Sequence, residues 1–200
     1  DRQFLRALAD GGVGDSILFN WPRYLNPLKN LRNQVQHHRA AGQLMETVHR
    51  FQRSEPDRPV VLMGHSTGTL VLLEALTLME EGGVDQAWLL ASAVRPTYDL
   101  RPALRRLDRL VNVHSPRDQW LLGWGTSIVG TADGYHEPGA GKDGLTGPGA
   151  DDPRVEQIAY DPAWRAHGHR GGHMGVLSRE FARHVIAPAM LRHAQEPVAP

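Results

Sequence analysis

The chain has 200 residues, enough to bury one sizeable hydrophobic core, so a single domain over residues 1–200 is expected. Its 22 basic residues balance 22 acidic ones, with an isoelectric point near 7.4, which argues against nucleic acid or anionic lipid as a partner held by broad electrostatic attraction. There is no cysteine, so disulfides, thiolate metal sites and a cysteine nucleophile are excluded together, and the redox compartment is left open.

The chain opens on Asp1-Arg2-Gln3 with no charged start followed by an apolar signal core, which suggests a segment excised from a longer protein with any targeting peptide upstream. Phe4, Leu5 and Leu8 have helical spacing, ended by Gly11-Gly12. Residues 16–21 are a short β-prone run stopped by Pro22. A polar turn region then leads to a helix from about residue 31 to 51. On it Ala41, Met45 and Val48 share one face, while Glu46 and Arg50 can pair at i, i+4.

Residues 59–63 read as a fully buried strand, and Leu72, Leu76 and Met79 follow at helical spacing, closed by Gly82-Gly83. A second such unit comes next: a strand at 87–93, a short helix at 100–107 and a strand at 110–114, with a last strand at 155–160. Between them, residues 123–153 carry nine glycines and few large apolar residues, the composition of a long surface loop. The final helix spans 178–186 with Phe181, Val185 and Ile186 inward and a stop at Pro188. No apolar run is long enough to span a bilayer. The alternation predicts an α/β class: a mostly parallel sheet with helices on both faces.

One junction carries chemistry. The buried strand at 59–63 gives way to a helix through Gly64-His65-Ser66-Thr67-Gly68. A G-x-S-x-G at such a junction makes a turn so tight that the serine backbone is strained, and small flanking residues relieve the crowding. The strain presents Ser66 Oγ to solvent, and the starting helix aims free N–H groups at the same spot, where the N–H of Thr67 would receive an oxyanion. A merely structural turn would leave the pattern equally intact, but not the strand and helix on either side of it.

At these residues the chain resembles the α/β-hydrolase family, whose nucleophile elbow is matched by residues 64–68. In that family the triad runs serine, acid, histidine along the chain. The resemblance implies that Ser115-Pro116-Arg117-Asp118, after the strand at 110–114, is the acid loop. It likewise implies that Arg170-Gly171-Gly172-His173-Met174-Gly175, before the final helix, is the histidine loop. Catalytic Ser66, Asp118 and His173 follow, acting on a small-molecule acyl substrate with no cofactor or metal. Asp108, Asp133, Asp151 and Asp152 compete for the acid role, and His167 or His169 for the base. His167, His169 and His173 also raise a zinc site as a rival. Gly139 to Gly144 match G-x-G-x-x-G, discounted because no strand feeds it. Trp120 and Trp124 are core or pocket wall, and His65 packs or hydrogen-bonds locally.

The resemblance further implies that the second oxyanion donor follows a strand preceding the first helix. That strand would lie upstream of Asp1, so the segment alone is expected to be weakly active or poorly folded. A carboxylesterase or lipase-like hydrolase leads; a thioesterase, amidase or acyltransferase on the same triad, or a noncatalytic binding module, are the alternatives.

Overall fold

A computed structural model of the protein describes residues 2–20, 33–80, 83–118, 131–134 and 138–196. Four strands, β1 (Val61–His65), β2 (Val84–Leu90), β3 (Leu107–His114) and β4 (Val155–Ala159), form one sheet. They lie side by side in chain order and every pair is parallel. β2 and β3 are the inner strands, and this explains their unbroken apolar runs: a parallel strand covered on both faces needs no polar alternation. Ala87 and Leu89 enter one core while Trp88 and Leu90, on the opposite face, enter another. β1 and β4 are more exposed edges.

The helices are α1 (Arg2–Asp10), α2 (Gln34–Ser54), α3 (Gly68–Leu78), α4 (Arg101–Leu104), α5 (Ala140–Asp143), α6 (Arg179–Phe181) and α7 (Ala187–His193). Val48 of α2, Leu72 and Leu76 of α3 and Ala103 of α4 cover one face of the sheet. Phe4 and Leu8 of α1 cover the other, together with Phe181 and Ile186. α3 is apolar nearly all round because α2 shields its outer side, through small contacts of Ala40 and Ala41 with Val71 and Ala75. Among the described residues no helix is long and apolar enough to cross a membrane.

β1 lies at 61–65 as a partly exposed edge strand rather than fully buried at 59–63, and β3 starts at 107 rather than 110. Besides these shifts, the structure departs from the sequence reading in four places. Residues 16–20 form no strand, Ile17 is 78% exposed, and Trp21 lies outside the described residues. A β-prone run becomes a strand only with a ladder partner, and among the described residues none pairs with it. Instead residues 13–19 border a cavity of about 660 Å³ along the free edge of β1, walled by Leu8 of α1 and by Val48 and Phe51 of α2. Second, β2 begins three residues before the expected 87. The polar Gln86 is tolerated there because its side chain donates to the Met190 carbonyl (3.1 Å) and accepts from Trp88 Nε1 (3.0 Å).

Third, the last helical segment does not stop at Pro188. A π-helical turn, Ala182–Ile186, precedes α7, and a widened turn accommodates the missing proline N–H. Fourth, the described part of the glycine-rich stretch is packed rather than loose. A Cβ on Gly141 would fall 2.4 Å from the Ala91 and Ser92 backbone, and one on Gly147 would fall 2.3 Å from the Tyr98 carbonyl oxygen. Gly139 and Gly141 of the discounted G-x-G-x-x-G thus permit close approach to the end of β2, while Gly144, at φ +82°, faces Gln157 and His114 after the single turn α5.

Candidate active site

Ser66 follows the last residue of β1, and its φ is +55°, a left-handed value that a serine rarely adopts. The turn is closed by contacts at backbone level: a Cβ on Gly64 would lie 2.8 Å from the Gly68 carbonyl oxygen and 2.9 Å from Thr69 N. Gly68 is different, since a Cβ there meets nothing within 4 Å. Of the two flanking glycines, only Gly64 is sterically required.

The strained residue is held by its own carbonyl. Thr69 N (3.0 Å), Thr69 Oγ1 (2.6 Å) and Ala93 N (3.4 Å) all donate to the Ser66 oxygen, while Ser66 N donates to the Leu90 carbonyl at 3.0 Å. Ser92 Oγ donates to Thr69 Oγ1 at 3.1 Å. Ala91, also left-handed at φ +47°, turns the chain after β2 so that Ser92 and Ala93 reach back to the elbow. Ser66 itself is only half-buried, and Thr67 stands at the N-terminus of α3 in helical geometry.

Two loops beyond the ends of β3 and β4 complete the site. Asp118 follows β3, in a turn where its N–H donates to the Ser115 carbonyl (2.8 Å). His173 lies in the loop before the 3₁₀ turn Gly175–Leu177. His173 Nδ1 and Asp118 Oδ2 are 2.9 Å apart, both side chains at most 9% exposed. The histidine ring in turn lies 4.8 Å, centroid to centroid, from that of His65, the neighbour of Ser66. An imidazole bonded through Nδ1 to a buried carboxylate, and packed against the residue that precedes a strained serine, is an arrangement that can accept and return a proton.

Residues 8–95, which contain the elbow and both strands around it, match the family described as "Alpha/beta hydrolase of unknown function (DUF900)". Over that stretch the chain is similar to α/β hydrolases. The Asp118 and His173 loops of this α/β hydrolase fold lie beyond the matched residues. Among solved structures, the crystal structure of the esterase domain of a Rhodothermus marinus protein is similar. It has 14% identity and a TM-score of 0.39, over 86% of this chain and 90% of that one. No curated protein matches the chain.

The other candidates for the acid, base and metal roles have different work. Asp108 is on β3, at the end away from the elbow; Asp133 accepts from Arg95 N at 3.1 Å, with Arg95 Nε 3.5 Å away; Asp152 pairs with Arg154 at 2.8 Å. The three histidines of the zinc alternative do not converge. The His167 ring packs 5.3 Å from that of His184, and His169 is buried among Tyr160, Trp164 and Phe181, where desolvation pushes its pKa down to about 4. Among the described residues no three His, Asp or Glu side chains form a metal-binding group. Trp120 and Trp124 lie outside the described residues.

His65, expected to pack or to hydrogen-bond locally, packs on His173, and its hydrogen bond is long-range. Its Nε2 lies 3.1 Å from the His173 carbonyl oxygen, a partner 108 positions away rather than a local one. Nothing in the sequence marks this, because adjacency to the serine says nothing of the loop that arrives above it.

Proposed function

We propose that this chain is a serine hydrolase that cleaves a carboxylic ester or related acyl bond. His173 takes the proton of the Ser66 hydroxyl as Oγ attacks the acyl carbonyl, and Asp118 fixes the tautomer and stabilises the imidazolium. The N–H of Thr67 donates to the oxyanion. Collapse of the tetrahedral adduct breaks the bond to the alcohol, which leaves with the proton from His173. Water, deprotonated by the same histidine, then adds to the acyl-serine carbonyl; collapse breaks the bond to Oγ, which takes the proton back from His173, and releases the carboxylic acid and free Ser66.

The observation that carries this reading is the 2.9 Å contact between His173 Nδ1 and Asp118, with the His173 ring packed on His65, the residue before a serine held at positive φ. A fluorophosphonate probe applied to the natively expressed protein is expected to label it, with labelling abolished in Ser66→Ala. Asp118→Asn is expected to lower kcat by about 10⁴-fold with the fold intact, since the imidazole then takes the wrong tautomer. A folded wild-type protein that takes no label sinks the proposal in favour of a noncatalytic module. Esters of graded acyl and alcohol size then define the substrate.

A further inference from the structure

Asp118 is not the sole anchor of the base of the proposed triad. The carboxylate fixes the ring of His173 through Nδ1. Its peptide carbonyl is bonded by His65, whose Nε2 lies 3.1 Å away. A carbonyl oxygen can only accept, so Nε2 of His65 carries the proton and donates. The two imidazoles are tilted by 51° with centroids 4.8 Å apart.

This bond matters because of where its ends sit. His65 is the last residue of β1 and is covalently next to Ser66. His173 rides on a glycine-rich turn, with Gly171 at φ +92° and Gly172 before it. Neighbouring backbone ties stay within the loop: Gly175 N to the Gly172 carbonyl (2.9 Å) and Gly171 N to His169 Nδ1 (3.3 Å). The His65 bond instead reaches across to the strand that carries the serine.

We infer that His65 is a positioning residue, which sets the height of His173 over the Ser66 hydroxyl by tying its backbone to the nucleophile strand. The inference rests on the hydrolase reading, in which the Ser66–His173 separation governs proton transfer. Proton transfer and attack need hydrogen-bond reach, and a shift of about 1 Å costs on the order of a hundredfold in rate.

The test compares His65→Gln, which keeps an amide donor at about the reach of Nε2, with His65→Leu, which fills similar space without a donor. Hydrolysis of a short-chain nitrophenyl ester and the rate of fluorophosphonate labelling are measured for each. The far-downfield proton resonance of the His173 Nδ1–H bonded to Asp118 is followed in parallel. His65→Leu is expected to lose about ten- to a hundredfold in kcat, with KM shifting less than about twofold, and to exchange the Nδ1 proton faster. His65→Gln is expected to recover most of both.

Equal losses in both variants would mean a packing role, and an undiminished kcat in His65→Leu would mean none; either overturns the inference. If His65→Leu fails to fold, His65→Asn, whose donor sits one bond short, takes its place with the same expectation. Should the folded wild-type protein neither hydrolyse nor label, the hydrolase reading fails by itself. The resonance then still decides the positioning role: loss in Leu with retention in Gln supports it, and no change in Leu overturns it.

Discussion

Ser66 occupies a backbone region that costs a non-glycine residue about 1–3 kcal/mol, and it stays there because its carbonyl is bonded by Thr69 and Ala93 and its N–H by Leu90. The strain is therefore fixed by buried groups on α3 and after β2, not by the serine side chain, which remains available. The two elbow glycines should respond differently to the same change. Gly64→Ala, whose methyl would overlap the Gly68 and Thr69 backbone, is expected to lose about 1–3 kcal/mol in urea unfolding. Gly68→Ala, with open space around its Cβ and a helix to join, is expected to range from neutral to about 1 kcal/mol more stable. Similar losses in both variants would contradict the assigned asymmetry.

At the scale of elements, the histidine loop is braced from below by an aromatic box. The His169 ring stacks on Trp164 (5.6 Å) and meets the edges of Tyr160 and Phe181, and its Nδ1 accepts from Gly171 N two residues before His173. Burial holds its pKa near 4 in the folded chain against 6.5 when free, so the unfolded state takes up the proton more readily. The corresponding stability is complete above about pH 6.5 and is lost as pH falls toward about 4. Urea midpoints measured across that window are expected to fall for the wild type and to fall less steeply for His169→Phe. An unchanged slope in the variant would remove His169 as the source.

The elements that could be read from the sequence were those whose signal is local. The inner strands, the long α2 and the elbow each carry their own periodicity or turn chemistry. Residues 16–20 misled because β propensity is satisfied only by a neighbour, and Pro188 misled because a π turn upstream can absorb a proline. The glycines at 139–147 serve close packing, which composition cannot distinguish from looseness. The same limit applies to the site: Ser66 announces itself through its flanks, the Asp118 and His173 loops came from family resemblance, and the reach of His65 exists only in three dimensions.

Across the whole molecule, the candidate groups gather at the carboxyl ends of the strands, where turns after β1, β3 and β4 open on one side of the sheet. The opposite closure is made by helices. α1 seats against the C-terminal helical segment, so closely that a Cβ on Gly11 would stand 2.5 Å from that of Ala187, and Arg179 reaches Asp10 at 3.3 Å. Gly11→Ala is expected to raise hydrogen exchange in α1 while amides of β2 and β3 stay protected. Uniform exchange changes along the chain would mean that α1 is not a separable unit.

Because the strands pair in the order in which they occur, each ladder can close over a short stretch of chain, one after another. The contact between Asp10 and Arg179 spans 169 positions and has no such shortcut. Folding should therefore zip the sheet first and seat α1 late. Until α6 and α7 are in place, Phe4 and Leu8 lack much of the apolar surface that covers them in the finished protein, so this stretch is the one most exposed to misassembly.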